Sequence, residues 1–277
     1  MKPLMKRMTL VVVAVALLFS IIPMQKAYAG RIHVVENSPY QGMTISILGD
    51  SISTYAGFIP TEDEVNLQHR AKYPHAQLLT NVNKTWWMQL IRQLDANLGV
   101  NDSWAGSTVC NSIDGNYGDW GEDAAMASLT RITNLGSNGT PDVILFYGGT
   151  NDMGLGVPLG VFNMENAPQQ VDLVSTKWIT FVDAYVAAIL RLQYFYPDAQ
   201  IIAMLPTYTV EYYTEETLHY FNEEMMEICG YYGIPWVDLR DCGITTELLP
   251  DGIHPNAEGM DYITAAVQEV LLAVVEE

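Results

Sequence analysis

Apolar and polar positions alternate along this chain in two kinds of segment. Ile45-Ser46-Ile47-Leu48 and Val143-Ile144-Leu145-Phe146-Tyr147 are short, mostly apolar runs rich in β-branched residues, and each stops on polar, glycine-bearing sequence. Such runs read as strands buried on both faces. Gln200 to Leu205 and Ile234 to Leu239 read the same way, and Val100 to Ser103 predicts one more short strand. Between the strands the apolar period lengthens to that of a helix. Thr85 caps a predicted helix with Trp87, Leu90, Ile91, Leu94 and Leu98 on one face and Gly99 as its stop. Glu122 to Leu135 has weaker helical character, with Met126, Leu129 and Ile132 on one side. Thr176 to Tyr196 predicts a helix burying Ile179, Val182, Val186 and Ile189, and Thr214 to Cys229 one burying Leu218, Phe221, Met225 and Ile228 before Gly230. A last helix, capped by Asn256, turns Met260, Ile263, Val267 and Leu271 inward.

Strands alternating with helices imply an α/β fold: a three-layer α/β/α sandwich around a mainly parallel sheet of about five strands. Two stretches, Ile52 to Lys84 and Met153 to Ser175, hold no sustained period and read as long loops, which in compact domains are commonly functional. With 277 residues the chain suits one domain, expected over residues 30–277.

Residues 1–29 read as a secretory signal peptide: Lys2, Lys6 and Arg7, then an apolar run from Met8 to Ile22, then Ala27-Tyr28-Ala29 as the small-residue cleavage site. The run is broken by Pro23 and falls short of the ~20 residues that span a bilayer. Cleavage before Gly30 would release a secreted protein. Losing the four cations Lys2, Lys6, Arg7 and Lys26, and no acid, moves the net charge from −19 to −23. So acidic a surface argues against nucleic acid and anionic membranes as partners. The three cysteines, Cys110, Cys229 and Cys242, cannot form a fully paired framework, and both a Cys229–Cys242 disulfide and three buried thiols are open.

In doubly wound sheets, ligands bind outside the carboxyl ends of the strands. Ser51 follows the first strand, Gly106 the second, Asn151 the third, and Asp251 and His254 lie in a loop after the last. All would gather along one edge. Acyl-transfer chemistry gives them roles: Ser51 as nucleophile, His254 as its base, and Asp251 accepting the other imidazole N–H to hold the tautomer. The N–H groups of Ser51 and Gly106 and the side-chain amide of Asn151 would meet the oxyanion. Asp50 and Asp152 are expected to support the site through local hydrogen bonds. Imidazole with a carboxylate partner is expected to titrate near 6 to 7, pushed upward by that partner. His33, His69, His75 and His219 read as surface or loop residues, Trp86 and Trp87 as core, and Trp104 as either packing or a sugar platform.

Gly49-Asp50-Ser51, Gly106, Gly149-Thr150-Asn151-Asp152 and Asp251-Gly252-Ile253-His254 occur in the order of the sequence blocks of the SGNH, or GDSL-type, hydrolases, and the chain resembles that family across nearly all of its mature length. Ile52 stands where the name-giving motif has leucine. The resemblance implies a flavodoxin-like sandwich and a serine esterase mechanism with no metal and no cofactor. Secretion, and Tyr55, Trp104, Tyr117 and Trp120 in loops after strands, favour a short-chain, acetyl ester on a neutral saccharide as substrate. Three alternatives stay open: a GDSL-type lipase or lysophospholipase, a metal-dependent phosphoesterase using Asp50, Asn151, Asp152, Asp251 and His254 as ligands, and an inactive carbohydrate-binding module on the same fold.

Overall fold

The computed structural model describes residues 34–59, 71–111 and 122–276. The expected signal peptide, His33, His69, Tyr117 and Trp120 lie outside the described residues. Five parallel strands form one sheet: β1 (Thr44–Gly49), β2 (Asn97–Ser103), β3 (Val143–Tyr147), β4 (Gln200–Leu205) and β5 (Trp236–Asp238), in the order β2-β1-β3-β4-β5. That is the flavodoxin-like doubly wound order, whose switch point lies between β1 and β3. Register brings the strand exits level, with Gly49 opposite both Ser103 and Tyr147, Tyr147 opposite Met204, and Leu205 opposite Asp238.

Because side chains alternate along a strand, β3 feeds two separate cores. Ile144 and Phe146 pack with Leu48, Ala203 and Leu205 beneath the helices α2 (Leu129–Asn134), α4 (Phe181–Phe195) and α5 (Glu215–Tyr232). Val143, Leu145 and Tyr147 join Ile45, Ile47, Ile202 and Met204 beneath α1 (Trp86–Leu94) and α6 (Ala257–Glu276). Trp86 and Trp87 are wholly buried there, as are Met260, Ile263, Val267 and Leu271. Cys229 belongs to the first core and Cys242 to the second, so the sheet separates them and they do not pair; all three thiols are buried.

Element ends correct the sequence reading in four places. The helix expected over 122–135 forms only as a single 3-10 turn, Glu122–Ala124, and as α2, which starts after its Ser128 cap. The first helix does not reach Gly99. It ends at Asp95, which takes the left-handed conformation (φ 52°), and Leu98 and Gly99 belong to β2. Gly99 sits where pairing slips between Ile45 and Ile47, and a Cβ there would come 2.5 Å from Ser46 Oγ, so its signal was a bulge and not a helix stop. The α4 helix starts only at Phe181, capped by the Thr180 side chain on the Asp183 N–H, which leaves Ile179 in the preceding loop and 79% exposed. In the same way α5 runs through Gly230 to Tyr232 and closes on Gly233 (φ 69°). Within the apparent loop after β3 lies a short helix, α3 (Thr150–Gly154).

Candidate active site

The nucleophile turn follows from a crowded strand exit. Gly49 is needed because a Cβ there would meet Ser103 Oγ at 2.8 Å and Ser53 Oγ at 2.9 Å. Asp50 then caps a single turn, Ser51–Ser53, by accepting the Ile52 N–H at 2.9 Å. Its carboxyl is fully buried, and burial pushes it up to about 7 against the pull of that hydrogen bond. Ser51 closes the turn with its own carbonyl, which accepts from the Thr54 N–H at 3.2 Å and the Thr54 hydroxyl at 2.8 Å.

A residue 203 positions away completes the arrangement: His254 Nε2 stands 2.7 Å from Ser51 Oγ. His254 Nδ1 is 3.0 Å from Asp251 Oδ2, while Asp251 Oδ1 accepts the backbone N–H groups of His254 (2.8 Å) and Ile253 (3.2 Å). A carboxylate only accepts, so the ring proton sits on Nδ1 and Nε2 is left as acceptor for the serine hydroxyl. The expected upward push on His254 is reversed. Burial lowers it, the Asp251 hydrogen bond and charge oppose that, and the charges of Lys72 and His75 lower it further. Burial alone would raise Asp251, but hydrogen bonds from His254 and Lys72 hold it well below the usual carboxylate range.

Gly106 (φ 79°) lies in the turn after β2, and neither its N–H nor that of Ser51 is spent on a backbone carbonyl of the described residues. Asn151, on α3, has its amide bracketed: Nδ2 donates to Ser107 O at 2.9 Å and Oδ1 accepts from the Tyr212 hydroxyl at 3.1 Å. One N–H of that amide remains for a ligand. Its neighbour Asp152, wholly buried and pushed by burial up to about 7, accepts from Val109 N–H (2.9 Å) and Cys110 N–H (3.0 Å). Adjacent residues of α3 thus clamp the segment that follows Gly106. Asp152 and Asp251 already spend their oxygens on N–H groups, which leaves a poor donor set for a divalent cation.

Several side chains that bond to the site's residues or strand exits escaped the sequence reading. Arg131, fully buried, donates to Asp102 Oδ1 (2.8 Å), Gly49 O (2.9 Å), Asp102 O (2.6 Å) and Ala124 O (3.0 Å), pinning the exits of β1 and β2 together. Its guanidinium lies 4.7 Å from the Trp104 ring centroid, so that ring is at least partly a packing surface. Lys72 Nζ is 2.7 Å from Asp251 Oδ2. Tyr212 lies in the loop after β4, where the rule that strand exits carry the site would have pointed. Lys72 sits in a stretch with no period to read.

The family model for GDSL-like lipase/acylhydrolase matches residues 43–271. The chain belongs to this family. As a GDSL-type, or SGNH, hydrolase it acts on ester bonds, on the fold described above. A crystal structure of a candidate GDSL-like lipase from Bacteroides uniformis is 31% identical with a TM-score of 0.62, covering 84% of this chain and 96% of that one. A second, from Bacteroides ovatus, is 27% identical with a TM-score of 0.62, covering 84% of this chain and 99% of that one. A carbohydrate acetylesterase from Sinorhizobium meliloti shares the fold at 14% identity and a TM-score of 0.57, covering 84% of this chain and 99% of that one. No curated protein matches the chain.

Proposed function

We propose that this hydrolase cleaves carboxylic esters through an acyl-enzyme on Ser51. The observation that carries this is the continuous chain from Ser51 Oγ through the His254 ring to Asp251, at 2.7 and 3.0 Å. Ser51 Oγ bonds the ester carbonyl carbon as its proton passes to His254 Nε2. The carbonyl oxygen becomes an oxyanion facing the N–H groups of Ser51 and Gly106 and the free amide N–H of Asn151. Collapse breaks the bond to the alcohol oxygen, which leaves with the proton from His254, and water then repeats the sequence to release the acid and restore Ser51. Ser51→Ala or His254→Ala should lower kcat by roughly 10³- to 10⁶-fold, with Asp251→Asn costing less.

As substrate we infer a short-chain, acetyl ester on a neutral saccharide, met outside the cell after removal of residues 1–29. A charge of −23 penalises polyanions but not a neutral glycan, and the like fold of the Sinorhizobium meliloti carbohydrate acetylesterase supports the reading. One observation favours a second reading, long-chain acyl hydrolysis. The segment after α3 exposes Val161, Met164, Val174 and Ile179, at 80%, 55%, 87% and 79%. A series of nitrophenyl esters run beside acetylated xylan separates the two. Preference for acetate and release of acetate from xylan supports the first, whereas rates rising steadily to palmitate with no acetate released supports the second.

A further inference from the structure

Lys72 and Tyr73 cross from the nucleophile's turn to the loop that carries the acid and base. The Lys72 N–H donates to Thr54 Oγ1 at 2.8 Å, the same hydroxyl that donates to Ser51 O at 2.8 Å. Its ammonium then reaches Asp251 Oδ2 at 2.7 Å, the oxygen that also takes His254 Nδ1. Tyr73, wholly buried, runs parallel to this link. Its carbonyl accepts the Ala56 N–H at 2.8 Å, its hydroxyl donates to Pro255 O at 3.0 Å, and its ring stands edge-on to His254 with centroids 6.3 Å apart. Two consecutive residues thus tie together loops that sequence separates by some two hundred positions.

We propose that Lys72 is a positioning residue of the ester hydrolysis, holding Asp251 and through it His254 in line with Ser51 from the nucleophile's own loop. This rests on the acyl-enzyme reading above and adds to it a group that touches neither substrate nor serine hydroxyl. A carboxylate offers about four acceptor directions, and four donors occupy them: Ile253 N–H and His254 N–H on Oδ1, Lys72 and the imidazole on Oδ2. So filled, Asp251 cannot turn its acceptor away from the ring.

Charge gives the second effect. The groups facing His254 are Ser51, Asp251, Tyr73, Lys72 and His75, and of these Lys72 is the fixed cation. Taking it away makes imidazolium easier to form, so His254 loses its acceptor role at a higher pH. An ordinary surface ion pair far from the base does neither of these things. At 30% and 32% exposure, Lys72 and Asp251 as a plain pair would contribute little to folding.

The test is kcat/KM for 4-nitrophenyl acetate, a neutral substrate, from about pH 4 to 9 in the full protein. It is run on wild type, Lys72→Met, Lys72→Arg, and Lys72→Cys before and after alkylation with 2-bromoethylamine, which restores an ammonium. We expect Lys72→Met to lower kcat by roughly tenfold with KM little changed, and to move the acid limb up by about half a unit to one unit. Lys72→Arg and alkylated Lys72→Cys should bring the limb back. If Lys72→Met keeps the wild-type limb and kcat and only its melting temperature drops, or if its limb moves down, Lys72 is structural and the inference fails. Fluorophosphonate labelling of the same samples separates this from the parent reading. Labelled Ser51 with a limb indifferent to residue 72 refutes Lys72 alone, while unlabelled Ser51 in wild type takes both down.

Discussion

A neutral imidazole is the state in which His254 can take a proton, and its surroundings favour that state. Burial, helped by Lys72 and His75, outweighs Asp251 and holds the ring below its ordinary 6.5. The acid limb of kcat/KM should therefore fall below about pH 6.5 and not above it. A limb above pH ~7 would show that the carboxylate wins over burial after all. Stability follows with a definite sign. Because folding depresses both His254 and Asp251, their contributions are present above the unfolded values of 6.5 and 3.8 and are lost as pH falls through the folded ones. Asp50 and Asp152 run the other way: raised to about 7, they favour the fold below 3.8 and lose that contribution as pH rises toward 7. At this scale the candidate site was legible, since Ser51, Asn151, Asp251 and His254 are residue types that acyl transfer needs, standing at strand exits. The direction of the His254 shift was not, because it depends on burial and on a lysine brought in by tertiary structure.

Short elements carry the least visible part of the site. The α3 helix has five residues, too few for a period, yet it presents Asn151 and Asp152 side by side to the turn after β2. Its last residue, Gly154, faces the Tyr212 ring so closely that a Cβ there would lie 2.2 Å from it. Alanine is the better helix former, so propensity alone predicts that Gly154→Ala is harmless or helpful. The packing predicts otherwise: the methyl would drive Tyr212 off Asn151 Oδ1. Gly154→Ala and Tyr212→Phe should each lower kcat by on the order of tenfold to a hundredfold, with KM for a small ester little changed. Equal activity in both variants and wild type would mean that Ser107 alone orients the Asn151 amide. The apolar strands were easier to read. The Val143–Tyr147 and Gln200–Leu205 strands stand where apolar runs placed them. Helix ends misled where a glycine served another purpose, as Gly99 does in its bulge and Gly230 inside α5.

At the scale of the whole molecule, the strand order decides where chemistry can happen. Placing β1 between β2 and β3 sets the switch point between β1 and β3, with Ser51 just after the exit of β1 and Asn151 just after that of β3. Alternating strand and helix patterns were enough to predict a parallel sheet covered on both faces. They could not predict the cross-links that hold its exits level, because Arg131, Lys72 and Tyr212 act across distances that leave no local pattern. The central claim is that this scaffold makes Ser51 a nucleophile through His254. Incubation with a fluorophosphonate, followed by mass spectrometry of the peptides, tests it most directly. We predict a single adduct on Ser51 in wild type, absent from Ser51→Ala and slowed by several orders of magnitude in His254→Ala. An adduct elsewhere, or none on Ser51 in protein that hydrolyses esters, would contradict it.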